Sequence, residues 1–114
     1  MTTITLNGKE FAVRYPLNSI RALERKTNKS VFQIFNTLAE GEGVGFDLMI
    51  TVIWSGILHA NRLATVEAVS VWLDSARNLP ELFQTCAAVF MESVQSHIPA
   101  DDAAAEKPAD EEKN

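Results

Sequence analysis

Between Phe46 and Ala60 the chain reads FDLMITVIWSGILHA. Wound as a helix, Leu48, Met49, Ile50, Val52, Ile53, Trp54, Ile57 and Leu58 leave almost no polar side. A helix that is apolar all round is buried, so the rest of the chain must fold around this segment as its central helix. Asp47, Thr51, Ser55 and His59 interrupt the run, and it falls short of the ~20 residues that span a bilayer. No membrane span is therefore expected. Met1-Thr-Thr-Ile-Thr has neither the basic nor the apolar region of a secretory signal, which points to a cytoplasmic protein. The 114 residues are enough for one domain.

The N-terminal segment alternates in the manner of a hairpin. Ile4 and Leu6 are interleaved with Thr3 and Thr5, and Phe11 and Val13 with Ala12 and Arg14. Between them stands Asn7-Gly8, whose residues tolerate the positive φ of a two-residue turn. Ile4, Leu6, Phe11 and Val13 are expected to share one buried face. Two strands alone are marginal in water, so they must lie on helices or pair with another chain through a free edge.

Four more helices surround the central one. Pro16 suits a first turn and opens a helix over about Leu17–Thr27, with Leu17, Ile20, Leu23 and Thr27 as its inner stripe. Ser30 is a natural N-cap for Val31–Glu40, where Val31, Ile34, Phe35 and Leu38 share a face. Gly41-Glu42-Gly43-Val44-Gly45 breaks the chain before the central helix. It is a flexible inter-helix linker and not a phosphate loop, since no Gly-Lys-Ser/Thr follows it. Thr65 caps a helix over about Val66–Arg77, with Val66, Val69, Trp72, Leu73 and Ala76 inward and Val71 outward. The last helix covers about Pro80–Ile98, with Phe83, Cys86, Ala87, Phe90 and Val94 inward, and Leu82 and Val89 off that face.

The expected architecture is α+β and mostly α. A two-stranded hairpin (residues 2–15) packs on about five helices (residues 16–98) in one folded domain, residues 1–99. Residues 100–114 hold no large apolar side chain and carry six of the 15 acids. Such a segment cannot offset its chain entropy by burial, so an acidic disordered tail is expected. Of the net charge of −5, only −1 belongs to residues 1–100. Counterion-release binding to nucleic acid needs a basic face. The one basic cluster, Arg21, Arg25, Lys26 and Lys29, is interrupted by Glu24 and reads as a solvated helix face.

Little in the sequence suggests chemistry. His59 and His97 lie on different helices, without a partner at metal-ligand spacing. Cys86, the single cysteine, sits in an apolar stripe, where cysteine acts as a small hydrophobe. Trp54 and Trp72 read as core. No serine elbow or dinucleotide fingerprint is present. Neither an enzyme nor a cofactor is expected. What remains is surface apolarity: Val71, Leu82 and Val89, on the last two helices, are the candidate partner-binding residues, with Gly41, Gly43 and Gly45 as a candidate hinge.

The order of these elements resembles a known family. The hairpin around Leu6-Asn7-Gly8-Lys9 is followed by LNSIRALERKTNKS over Leu17–Ser30, and then by Ile53-Trp54-Ser55-Gly56-Ile57-Leu58-His59-Ala60 and Thr65-Val66-Glu67-Ala68-Val69. Across residues 4–75 this is similar to the tail assembly chaperones of long-tailed phages and the related small tail proteins of gene-transfer agents. Asn28 stands where that pattern usually has glycine, and Arg25 where it often has a second acid. The resemblance implies a non-enzymatic binding protein of virion assembly in the bacterial host cytoplasm. It would hold the tape measure protein soluble while tail-tube protein polymerises around it, self-associate, and in some cases occur in a longer frameshifted form. Two other readings stand beside it: a structural virion part, such as a tail-completion or head–tail connector protein, and a small DNA-binding regulator using the first two helices.

Overall fold

A computed structural model describes residues 1–98 of the chain. The expected acidic tail, residues 100–114, lies outside the described residues. Strands β1 (Thr3–Leu6) and β2 (Lys9–Ala12) form an antiparallel hairpin. Helices follow as α1 (Leu17–Thr27), α2 (Val31–Glu40), α3 (Phe46–Ile57), α4 (Val66–Leu73) and α5 (Leu79–His97), with one 3₁₀ turn at Leu58–Ala60 after α3. The fold is α+β and mostly α, with the hairpin laid on five helices.

Each element forms for a local reason. Asn7 and Gly8 both take positive φ, 54° and 75°, the requirement of the turn whose twist matches the strands. This turn sets Leu6 opposite Lys9 and Ile4 opposite Phe11, and Ile4, Leu6, Phe11 and Val13 are all buried on the helical side. Helix α1 starts on the Pro16 carbonyl, which accepts from Ser19 and Ile20, and stops at Asn28 in the left-handed region. Helix α2 opens with a reciprocal capping box between Ser30 and Gln33. The Glu24 carboxylate accepts from the Val31 amide at 2.8 Å, tying the start of α2 to α1. Thr65 caps α4 by accepting from the Ala68 amide at 3.0 Å.

Helix α3 is central. It packs against α1, α4, α5 and β2, and every residue from Thr51 to Ile57 is buried. Its polar residues satisfy themselves within the helix: the Thr51 hydroxyl donates to Asp47 O and the Ser55 hydroxyl to Val52 O. Buried hydroxyls bonded in this way avoid the desolvation cost of an unmet group.

The structure corrects several expectations. Burial of α3 begins only at Thr51, and Phe46, at its first turn, is 71% exposed. Leu17, expected on the inner stripe, is exposed, and Ser19 is buried instead. Six residues separate Leu17 from Leu23, which at ~100° per residue places them roughly 120° apart. Helix α4 ends at Leu73, about one turn early, where Asp74 N–H donates to Val71 O and Ala76 N–H to Leu73 O. Trp72 is half-buried rather than enclosed; its ring stacks on Phe11 with centroids 5.5 Å apart.

Candidate interaction surface

The innermost polar groups converge on Tyr15. Its hydroxyl donates to the Val52 carbonyl at 2.6 Å, and its own carbonyl accepts from the Ser93 hydroxyl at 2.7 Å. Its ring meets Phe90 edge-on, with centroids 5.4 Å apart. Burial pushes the Tyr15 phenol well above its usual range. Burial likewise pushes the Cys86 thiol up to about 12. The thiolate is the nucleophilic form, so burial disfavours the reactive state of Cys86 at neutral pH. This cluster fastens the chain before α1 to α3 and α5, and it presents no reactive atom to solvent.

The two histidines have separate settings. His59 Nε2 lies 3.1 Å from the Ala12 carbonyl. A carbonyl only accepts, so the proton in that bond sits on Nε2. His97 is exposed in the last turn of α5. Among the described residues, no group of three or more His, Cys, Asp and Glu side chains could hold a metal ion. Among the same residues, no helix is long and apolar enough to cross a membrane.

Two of the basic residues of α1 have partners within the fold. Arg21 donates to Asn18 Oδ1 at 3.1 Å. The Lys26 ammonium sits 5.8 Å from the centroid of the Trp54 ring, within cation–π range. Trp54 is itself fixed, its indole N–H donating to Ala64 O at 2.9 Å.

The three candidate partner-binding residues do not come together. Val71 projects outward and is 66% exposed, whereas Leu82 is 7% exposed and part of the core. The buried line of α5 is Leu82, Cys86, Phe90 and Val94. Residues four apart differ by only ~40° around a helix, so Leu82 shares the face of Cys86 and does not oppose it. Val89 is half-buried and borders two open depressions on α5, one shared with Arg14, Pro16 and His97 and one with Thr2, Thr85 and Met91. Helices α4 and α5 each pack on α3 rather than mainly on one another.

The glycine linker between α2 and α3 is exposed at all three glycines. Gly41 caps α2 in the left-handed region, with its N–H on Thr37 O, and Gly43 also has positive φ. Gly45 precedes α3 in an extended conformation open to any residue.

Sequence reasoning missed four further exposed apolar side chains. Phe46, Leu17, Leu63 and Phe32 are at least half exposed. The signal for Phe46 was its place beside the glycine linker, at an end that neighbouring helices do not reach. Searches against family models, curated proteins and solved structures find no match to this chain.

Proposed function

We propose that this chain is a non-enzymatic tail assembly chaperone of a long-tailed phage, which holds the tape measure protein soluble through apolar contacts with its helices. The observation that carries this reading is the ordered set of segments by which it resembles that family. They fall on the hairpin, α1, the end of α3 with its 3₁₀ turn, and the capped start of α4. Exposed apolar side chains on ordered helices support it, since an amphipathic client helix binds through such anchors. Val71 remains a candidate anchor and Phe46 joins it, both being largely exposed. Leu82 leaves the set because its side chain is used in the core.

The test is co-expression of the full chain with the tape measure protein of the same gene cluster. A soluble, stoichiometric complex that is weakened by Val71→Glu or Phe46→Glu is the expected result. A tape measure protein that stays insoluble beside a well-folded chain overturns the reading. It would favour a structural virion component, recognised by its presence in mature particles.

A further inference from the structure

The two edges of the hairpin are not equivalent. Val13 N–H donates to Thr2 O, directly across the ladder. In an antiparallel pair, residues alternate between bonded and non-bonded positions. Thr2, Ile4 and Leu6 therefore turn their backbone groups toward β2, and Thr3 and Thr5 turn theirs away. On β2 the outward groups belong to Glu10, Ala12 and Arg14. Two of these are taken by the helical layer: the Ala12 carbonyl by His59 Nε2 at 3.1 Å, and the Arg14 N–H by the Gly56 carbonyl at 2.9 Å. Among the described residues, nothing bonds the outward N–H and C=O of Thr3 and Thr5. Beside them lies an open depression, bounded on its other side by Asn78 and by Glu81, Gln84 and Thr85 of α5.

We propose that this β1 edge pairs antiparallel with the β1 edge of a second copy, making one four-stranded sheet across a two-fold axis at Ile4. The strand is suited to meet itself. Rotation about Ile4 places Thr3 opposite the second copy's Thr5 and Thr5 opposite its Thr3, so each pair exchanges two backbone hydrogen bonds. The facing side chains are then threonines on the solvent side, a favourable cross-strand pair. Ile4, buried under its own helices, falls on the axis in the non-bonded position. Thr3–Leu6 carries no lysine, proline or other charge, and those are the usual guards of an edge that must stay single. The hairpin's Lys9 and Glu10 are both on β2, and the Glu10 carboxylate accepts from the Thr3 hydroxyl at 3.2 Å on the solvent face. A two-stranded sheet is marginal by itself, and doubling it pairs the more open of its two edges.

The pairing does not depend on the chaperone reading, because its test contains no client. Sedimentation of the full chain over a concentration series, with amide hydrogen exchange read in parallel, measures it. The mass is expected to rise toward twice 12.6 kDa, and the Thr3 and Thr5 amides to gain protection in step. Thr3→Pro removes an outward N–H and no ladder bond, so it should weaken dimerisation by about tenfold or more, roughly the loss of one or two backbone hydrogen bonds. Its circular dichroism should be unchanged. Thr3→Lys combined with Thr5→Lys keeps every backbone group, sets like charges opposite one another, and should give the same loss. A monomer at every concentration overturns the proposal. So does a dimer in which both variants leave the mass unchanged and the Thr3 and Thr5 amides stay unprotected.

Discussion

Tyr15 lies directly against Gly56. A Cβ placed on that glycine would stand 2.6 Å from the Tyr15 hydroxyl oxygen and 2.8 Å from Cζ. The same hydroxyl is bonded to Val52 O, one turn earlier on α3. Glycine in a helix interior is usually a cost of about 1 kcal/mol relative to alanine. Here it is what lets the tyrosine ring reach the α3 backbone, and with it the whole segment between the hairpin and α1.

Gly56→Ala should therefore destabilise despite its gain in helix propensity. Overpacking of a filled core costs ~1–3 kcal/mol, and the ring cannot swing aside without breaking its bond to Val52 and its contact with Phe90. Tyr15→Phe should cost about 1 kcal/mol for the lost bond. Because Tyr15→Phe also removes the atom nearest the new methyl, the double variant should lose less than the sum. Urea unfolding of the four proteins measures that coupling, and strict additivity would refute the contact.

The buried phenol and thiol predict how stability depends on alkaline pH. Cys86 moves from 9.0 when free to about 12 in the fold, and Tyr15 moves upward from 10.0. Both folded states hold their proton longer than the unfolded chain. Between pH 9 and 12 the unfolded state therefore binds fewer protons, and stability falls as pH rises. Well below pH 9 the two groups contribute no slope. Cys86→Ala should flatten part of the decline in a pH series of urea midpoints. In the native protein at pH 8, Cys86 should react with a thiol reagent only as fast as the fold opens.

Leu82 and Val71 separate packing from surface. Leu82→Ala should cost about 2–5 kcal/mol, the range for emptying a buried leucine site. Val71→Glu should stay within about 0.5 kcal/mol of the parent, as exposed substitutions do. Thermal melts of the two variants decide this, and a destabilising Val71→Glu would place that side chain in the core.

The caps should act independently. Ser30→Ala removes one half of a reciprocal capping box, and Thr65→Ala a single bond to Ala68 N. Each should cost about 1 kcal/mol. The losses should add, because the two caps belong to different helices and share no bonding partner. The double variant's urea midpoint checks that sum.

The elements set by local rules were legible from residues alone. Asn7-Gly8 specified the turn and through it the register. Ser30 and Thr65 marked helix starts, and the limits of α1 and α2 follow their flanking Pro16, Asn28, Ser30 and Gly41. The apolar run after Phe46 identified the central helix, because a helix without a polar side has nowhere to go but inside. What the sequence left open was which part of each helix its neighbours reach. Phe46 and Ile53 belong to one apolar run, yet one is solvated and the other fully enclosed. The periodicity of α5 put Phe83 inward and Leu82 outside, and in the fold Leu82 is the buried residue and Phe83 only half-buried. The asymmetry of the hairpin was likewise invisible, since it depends on His59 and Gly56 arriving at one edge from more than 40 residues away. Propensity, capping and turn geometry act over a few residues and can be read along the chain. Burial and edge protection are set by which surfaces meet, and only the folded arrangement fixes that.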